Sequence, residues 1–192
     1  MVLLWDVMDT LVYDPFNREI PAYFGLTREE LLAQKHGGAW IELEHGRLTP
    51  DEYLRTMFTD RRPIDAARFE RHVRESYRFM DGVEALLEEL HEQGVEMHAL
   101  SNYPVWYRWI EEELEVSRFV KWSFVSCTTG YRKPEPEAYA HAARVLGRDP
   151  AQCIFIDDRQ KNCDGAAAVG MAAIHFESAE QVRRQLAAYG IG

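Results

Sequence analysis

The stretch Val2–Thr10, which reads VLLWDVMDT, is the part of the sequence that decides the fold. Four apolar residues come first, and Asp6 follows them directly. A short apolar run that ends in an acid and turn-forming residues is typical of a buried strand in a parallel sheet. Ligands bind outside the carboxyl ends of such strands. The stretch therefore predicts a first strand with Asp6 at its functional end.

Three later segments repeat this pattern of an apolar run followed by polar residues. Glu96–Leu100 is followed by Ser101 and Asn102, Trp122–Val125 leads to Lys133, and Cys153–Ile156 is followed by Asp157 and Asp158. In chain order, the strand ends thus carry an acid, a hydroxyl group, a lysine and a pair of acids. Because the carboxyl ends of parallel strands meet at one edge of a sheet, we expect these side chains to share one crevice.

The rest of the chain alternates strands with helices, apart from one helical block. From Asp81 onwards amphipathic helices separate the strand-like runs, which predicts right-handed crossovers and a parallel sheet. Residues 15–79 carry helical patterns, among them a capping box of Thr27 and Glu30. We predict an α/β fold, a Rossmann-like doubly wound parallel sheet with a small α-helical cap inserted after the first strand. The core would comprise residues 1–14 and 80–192, and the cap residues 15–79.

Composition and charge narrow the class of protein. The chain has 192 residues, of which 46% are hydrophobic, enough to fill the core of a folded domain. Its formal net charge of −10 argues against nonspecific binding to nucleic acid or to an anionic membrane, but a local cation still allows an anionic substrate. The three cysteines form no CxxC pair, and no run approaches the about 18 apolar residues of a membrane-spanning helix. We expect a soluble cytoplasmic protein, and its oligomeric state stays open.

The order of the strand-end motifs resembles the haloacid dehalogenase-like (HAD) hydrolase superfamily, whose motifs are a nucleophilic Asp, a Ser or Thr, a Lys and an acidic pair. The resemblance implies that Asp6 attacks the substrate and forms a covalent aspartyl intermediate. It implies that Lys133 steadies the charge of the nucleophile and the phosphate. Ser101, with Asn102 beside it, would bind the phosphoryl oxygens, and Thr10 would orient the loop after Asp6.

The same resemblance implies a bound Mg²⁺ ion, because a carboxylate that attacks a phosphate faces repulsion between two anions. Asp157 and Asp158 supply the hard oxygen ligands that Mg²⁺ prefers. They would hold the ion together with Asp6 and the main-chain carbonyl of Met8, so that it neutralises and aligns the reacting oxygens. The expected partner is a small phosphorylated metabolite.

Met8 is a departure from the family pattern. HAD phosphatases usually carry a second Asp at this position, which protonates the leaving group and later activates water. Met8 cannot transfer a proton, and general acid–base help is worth typically about 10²–10⁴-fold in rate. Asp9 is an alternative acid, although successive side chains of an extended strand point to opposite faces.

The missing acid leaves other functions open. Haloacid dehalogenases also lack the second Asp, but they work without metal, and two unneutralised carboxylates near Asp6 would oppose attack. Phosphonatase-like members keep Mg²⁺ and use a cap lysine to form a Schiff base, and Lys35 is the only lysine within residues 15–79. A phosphate-binding module that has lost turnover is the third alternative. We predict a Mg²⁺-dependent phosphatase that acts on a small phosphate monoester.

A closer resemblance is to plant-type HAD proteins that are associated with flavin mononucleotide (FMN) phosphatase activity. They share the DVMDT run, followed by Asp14–Phe16, Asn102–Pro104 and Ile156–Arg159. This resemblance implies that Met8 is compatible with an active enzyme, and it makes FMN a candidate substrate. Four aromatic residues of the predicted cap could stack on the isoalloxazine ring, namely Tyr23, Phe24, Trp40 and Phe58. Such residues in a small helical cap more often form its apolar core, and we favour this interpretation.

Overall fold

A five-stranded parallel sheet forms the centre of the computed structural model, which covers residues Met1–Gly192. The strands are β1 (Val2–Trp5), β2 (Glu96–Ser101), β3 (Lys121–Val125), β4 (Cys153–Asp157) and β5 (Ala172–His175). Their spatial order is β3-β2-β1-β4-β5, so the chain winds outward from β1 in both directions. The predicted doubly wound α/β fold is confirmed.

The register of the central strands brings the strand ends together. Trp5 in β1 pairs with Ala99 in β2 and with Ile156 in β4. The main-chain N–H of Asp6 donates to the carbonyl oxygen of Ile156 at 2.8 Å. Asp6 and Asp157 therefore follow equivalent positions of adjacent strands, at the carboxyl edge of the sheet.

Along the chain, five short helices follow β1 and precede the remaining strands. They lie within residues 15–79, which we call the helical insert. They are α1 (Glu19–Tyr23), α2 (Arg28–Gln34), α3 (Ala39–Glu44), α4 (Pro50–Thr56) and α5 (Ala66–Arg74). The predicted capping box is present, since Thr27 Oγ1 accepts from the N–H of Glu30 and the Glu30 carboxylate accepts from the N–H of Thr27. The division into domains at residues 14/15 and 79/80 stays a prediction.

Six helices accompany the later strands and cover both faces of the sheet. They are α6 (Val83–Glu92), α7 (Tyr107–Leu114), α8 (Ser126–Thr129), α9 (Pro136–Leu146), α10 (Gln160–Ala168) and α11 (Ala179–Ala187). Successive strand side chains point to opposite faces. Leu4 thus packs in a cluster with Tyr139 of α9, whereas Trp5 packs in a larger cluster with Leu87 of α6.

The larger cluster continues from the sheet into the helical insert, where it includes Leu31, Phe58 and Phe69. Sheet and insert therefore share one apolar core, and burial of this common surface holds the insert in place. None of the helices combines the length and the apolar character needed to cross a membrane.

Candidate active site

Lys133 and two aspartates form the centre of the site, at the carboxyl edge of the sheet. The Nζ atom of Lys133 lies 2.5 Å from Asp6 Oδ1 and 2.6 Å from Asp157 Oδ2. All three side chains are buried. Charges removed from water are costly unless they are paired and hydrogen-bonded. The shared ammonium thus makes it possible for two carboxylates to lie side by side in the interior.

Burial and pairing set the proton affinities at this centre. Burial raises the pKa of Asp6 to about 7, while Lys133 acts to lower it and Asp157 to raise it further. Burial also acts to lower the pKa of Lys133, but the two carboxylates outweigh it and hold this pKa above the ordinary value. Lys133 is therefore a fixed positive charge, and a second cation beside Asp6 would favour the ionised form of that carboxyl group.

The two acids that follow β4 have different surroundings. Asp157 Oδ1 accepts from the main-chain N–H of Arg159 at 2.8 Å and from Asn162 Nδ2 at 3.0 Å. The main-chain N–H of Asp158 donates to Thr10 Oγ1 at 3.1 Å, but Asp158 Oδ1 is buried without a hydrogen-bond partner. Burial raises the pKa of Asp158 to about 6, and Asp157 adds to this rise. Asp157 is held by the chain, whereas Asp158 offers a free oxygen to a ligand.

The acids at the sheet edge fit a hard cation. Asp6, Asp157 and Asp158 each have a carboxylate oxygen within 4.8 Å of those of the other two. The carbonyl oxygen of Met8, in the loop beside them, accepts no hydrogen bond from the main chain. Carboxylate and carbonyl oxygens are the ligands that Mg²⁺ prefers. The residues present are therefore chemically suited to Mg²⁺, and their assignment as its ligands stays a prediction.

Two polar residues at the end of β2 have different roles in the structure. Asn102 Nδ2 donates to the carbonyl oxygen of Lys133 at 2.8 Å, and Asn102 Oδ1 accepts from the N–H of Lys133 at 2.8 Å. The hydroxyl group of Ser101 is buried and has no partner. A buried hydroxyl without a partner costs about 1–3 kcal/mol, so Ser101 has a hydrogen bond available for a ligand. Asn102 positions the lysine.

Asp9 closes the loop that follows Asp6. Its φ angle of 57° lies in the left-handed region. Its Oδ1 accepts from the main-chain N–H of Asp14 at 3.0 Å, and its Oδ2 accepts from Asn17 Nδ2 at 2.9 Å. Both carboxylate oxygens are thus used to hold the chain between residues 9 and 17. The role of Asp9 as the missing acid stays a prediction.

A cavity of about 270 Å³ opens beside Asp6, between the sheet edge and the helical insert. From the core it is lined by residues that include Met8, Asp9, Asn102, Arg132, Lys133 and Arg159, and from the insert by Phe16, Asn17, Arg28, Lys35, Trp40 and Glu44. Ser101 is buried and is not among the residues that line the cavity. The cavity wall also includes Arg28, Glu44 and Arg132, which were not predicted as site residues. Of these three residues, only Arg132 could have been linked to the site from the sequence, because it directly precedes Lys133.

Comparison with known proteins decides the family. A family model described as haloacid dehalogenase-like hydrolase matches residues 2–170. The chain belongs to this family. The predicted resemblance is therefore confirmed, and so is the prediction that the protein is an enzyme of the hydrolase class.

Individual relatives of this HAD-like hydrolase support the same assignment. The chain is 42% identical over 190 residues to flavin mononucleotide hydrolase 1 of Arabidopsis thaliana. The aligned region covers 99% of this chain and 78% of the relative. It is 29% identical over 141 residues to a sesquiterpene phosphatase of Aspergillus oryzae, over 71% of each chain. A HAD family enzyme of Bacteroides thetaiotaomicron, solved with magnesium and inorganic phosphate, has a TM-score of 0.71 at 20% identity over 91% of this chain and 93% of its own.

Of the four aromatic residues considered either as stacking residues or as core of the insert, only Trp40 lines the cavity of this HAD-like hydrolase. The ring centroid of Phe24 lies 4.8 Å from that of Phe58 and 4.9 Å from that of Tyr23. These three rings pack against one another in the insert and do not line the cavity, which agrees with the favoured interpretation that they form its core. Phe16 lines the cavity instead, because the chain turns into the insert directly above the sheet edge.

Two cations of the insert face the cavity around Phe16. Lys35 Nζ lies 4.9 Å from the centroid of the Phe16 ring, and Arg28 Cζ lies 6.0 Å from it. Burial lowers the pKa of Lys35. The charged ends of both side chains lie near this ring, and neither forms an ion pair with an acidic side chain. They are therefore available to an anionic or electron-rich group in the cavity.

Glu44 joins the helical insert to the core of this HAD-like hydrolase. Its Oε2 lies 2.7 Å from Arg132 Nε and 2.6 Å from Arg132 Nη2, and its Oε1 accepts from Trp40 Nε1 at 2.7 Å. Its carbonyl oxygen accepts from Ser126 Oγ at 2.6 Å. Glu44 is buried, so these contacts are shielded from water. They hold α3 against the core, and the contact between Glu44 and Arg132 forms part of the cavity wall.

Proposed function

We propose that this HAD-like hydrolase is a Mg²⁺-dependent phosphatase that acts on a small phosphate monoester through an aspartyl-phosphate on Asp6. The observation that carries the proposal is the buried ammonium of Lys133 between Asp6 and Asp157, on the wall of the cavity. A carboxylate that attacks a phosphate brings two negative charges together. Positive charge that is already in place, in a site that excludes water, stabilises the transition state of such a reaction.

Each residue of the site has its own role in the proposed reaction. The Asp6 carboxylate attacks phosphorus, the ester oxygen leaves, and water then hydrolyses the aspartyl-phosphate. Lys133 balances the charge of Asp6 and of the phosphate, and Asn102 holds the main chain of Lys133. The free hydroxyl of Ser101 donates to a phosphoryl oxygen. Thr10 holds the loop of Asp158 through the hydrogen bond to its N–H group.

The metal site of the proposal consists of Asp6, Asp157, Asp158 and the carbonyl oxygen of Met8. When bound, Mg²⁺ supplies positive charge that neutralises the phosphate and aligns the reacting oxygens. The free oxygen of Asp158 and the free carbonyl of Met8 support this assignment. The magnesium and phosphate in the Bacteroides thetaiotaomicron enzyme of the same fold also support it.

FMN is the candidate substrate, with the helical insert acting as a cap over it. The rings of Phe16 and Trp40 offer apolar surface in the cavity, and Arg28 and Lys35 offer positive charge beside it. This combination suits an alcohol leaving group that carries an aromatic ring system with hydrogen-bond acceptors. The similarity to flavin mononucleotide hydrolase 1 of Arabidopsis thaliana supports the same substrate.

Phosphate release from FMN and from a panel of sugar and nucleotide monophosphates tests the proposal. We expect release in the presence of Mg²⁺, little release with a chelator, and none from Asp6→Asn, which keeps the size of the side chain but not its charge. Asp51→Asn is the matched control, since Asp51 is an exposed acid of α4 that does not line the cavity, and it should behave as wild type. Absence of release from every substrate with Mg²⁺ would make the phosphatase proposal wrong.

A carbon–phosphorus hydrolase is the second candidate, and the position of Lys35 favours it. Lys35 lines the cavity, and burial lowers its pKa, which favours the neutral amine that a Schiff base requires. Borohydride reduction in the presence of an aldehyde phosphonate would then attach the substrate to Lys35, with Lys35→Arg as the control. If mass spectrometry finds no adduct on the peptide that contains Lys35, this candidate is excluded.

The cellular location is also a proposal. The sparse cysteines, all free in the structure, favour a reducing compartment, and we propose the cytoplasm. The Arabidopsis relative carries a name that places that protein in the chloroplast. Fractionation of the native cells, followed by detection with an antibody, distinguishes the cytoplasm from an organelle.

A further inference from the structure

Asp14 is a carboxyl group on the cavity wall that is neither the proposed nucleophile nor a proposed metal ligand. The chain turns back on itself between Met8 and Asp14. The N–H of Asp9 donates to the carbonyl oxygen of Val12 at 2.7 Å, and the N–H of Asp14 donates to Asp9 Oδ1 at 3.0 Å. This turn brings Asp14 next to the residue that follows Met8, on the same wall of the same cavity.

The other carboxyl groups on this wall are already engaged. Four carboxyl groups line the cavity, those of Asp6, Asp9, Asp14 and Glu44. Asp6 is the proposed nucleophile, and both oxygens of Asp9 and of Glu44 accept hydrogen bonds. In Asp14 only Oδ1 accepts a hydrogen bond, from the N–H of Phe16 at 2.9 Å. Asp14 Oδ2 is therefore the carboxyl oxygen on this wall that can hold a transferable proton.

The surroundings of Asp14 favour its protonated form. Burial raises the pKa of Asp14 to about 6, and the carboxylates of Asp9 and Asp158 act in the same direction. The N–H of Phe16 and the guanidinium of Arg159 oppose this rise. A carboxyl group serves best as a general acid and base when its pKa lies near the working pH.

We propose that Asp14 performs the proton transfers that Met8 cannot, an inference that rests on the proposed phosphatase function. When the Asp6 carboxylate forms its bond to phosphorus, the bond from phosphorus to the ester oxygen breaks. That oxygen takes the proton of Asp14 and leaves as an alcohol. In the second step the Asp14 carboxylate takes a proton from water, whose oxygen attacks phosphorus and displaces Asp6. Phosphate is released and Asp14 is protonated again.

The variant Asp14→Asn, assayed with two kinds of leaving group, tests the inference. Asn still accepts the hydrogen bond from the N–H of Phe16, so the loop should keep its shape. An alkyl phosphate, such as FMN, needs a proton on its leaving oxygen, whereas the phenolate of p-nitrophenyl phosphate leaves without one. We expect kcat/KM to fall about 10²–10⁴-fold for the alkyl ester and less than about tenfold for the nitrophenyl ester. Equal losses, or no loss, would overturn the inference.

A second acid placed at position 8 separates proton transfer from a structural effect. Met8→Asp in the Asp14→Asn background should restore hydrolysis of the alkyl ester. If Asp14→Asn selectively loses hydrolysis of the alkyl ester and the added Met8→Asp does not restore it, the inference is overturned. Asp9→Asn is the matched control and should affect both esters alike, because Asp9 holds the loop. If Asp9→Asn alone is selective for the alkyl ester, Asp9 and not Asp14 is the acid. Absence of turnover of both esters by wild type would overturn the phosphatase proposal itself.

Discussion

The side-chain amide of Asn102 makes two hydrogen bonds to the main chain of Lys133, one to its carbonyl oxygen and one from its N–H group, each 2.8 Å long. Asn102 directly follows β2, whereas Lys133 lies in the loop between α8 and α9. The amide therefore fixes, across 31 residues of sequence, the point from which the lysine side chain reaches Asp6 and Asp157. The position of the ammonium depends on a residue that does not touch it.

Replacement of this amide should loosen the lysine. Asn102→Ala removes both hydrogen bonds and leaves two main-chain groups without partners, so we expect the free energy of unfolding to fall by about 1–3 kcal/mol. Activity should fall as well, because the ammonium is no longer held at one position. Asn102→Asp keeps the acceptor for the N–H of Lys133 but loses the donor, and its loss should be smaller. Urea unfolding and phosphate release measure both effects, and an Asn102→Ala variant as stable as wild type would contradict the prediction.

Removal of the ammonium should have a larger and pH-dependent effect. Lys133→Met leaves Asp6 and Asp157 buried without their counter-charge, and we expect a loss of about 3–5 kcal/mol at about pH 8. The loss should be smaller at about pH 5, because the pKa of Asp6 is already raised to about 7 and protonation removes its charge. Lys121→Met, on the exposed side of β3, is the control and should change little. A loss of equal size at both pH values would argue against the charge explanation.

The contact between the helical insert and the core can be tested at Gly46. A Cβ atom at Gly46 would lie 2.6 Å from the carbonyl oxygen of Cys127, whereas one at Gly25 would have no atom within 4 Å. Both glycines have left-handed φ angles, 69° and 67°, so an alanine at either site costs roughly 1–2 kcal/mol of backbone strain. Only Gly46→Ala should in addition push the insert away from the core. Hydrogen exchange in α3 should accelerate in Gly46→Ala and not in Gly25→Ala, and similar exchange in both would contradict the docking contact.

The raised pKa of Asp14 predicts how stability depends on pH. Its pKa is raised from 3.8 to about 6 in the folded protein, so between these values the folded state binds more protons than the unfolded state. Stability therefore falls as the pH rises through this window, and the loss is complete above it. Asn does not titrate, so the Asp14→Asn variant lacks this loss. The free energy of unfolding of the variant minus that of wild type should therefore increase from about pH 4 to about pH 7.5. Urea unfolding at the two pH values measures this change, and a constant difference would contradict the assigned pKa.

Much of the catalytic centre could be predicted from local pattern. Apolar runs that end in Asp6 and in Asp157 predict parallel strands, and parallel strands bring their carboxyl ends to one edge. The register that places Asp6 beside Asp157 follows from this arrangement. Lys133 was harder to predict, since it lies in a loop, and the order of the motifs singled it out.

The helical insert could not be predicted to the same depth. Capping residues such as Thr27 marked some of its helices, but each helix is only five to nine residues long. Which ring faces the cavity depends on how the insert packs on the sheet. For this reason the sequence left stacking and core positions open for Phe24 and Phe58, and it did not indicate that Phe16 lines the cavity.

The sequence alone therefore determined the class of fold, the order of the strand-end motifs and the loss of the usual acid at Met8, because these depend on residue type and periodicity along the chain. Only the tertiary structure decided that Asn102 holds Lys133, that Glu44 joins the insert to Arg132, and that Asp14 turns back onto the cavity wall. These relationships connect groups through space by side-chain hydrogen bonds and tight turns. Their geometry is set by packing, which has no periodic signature in the sequence.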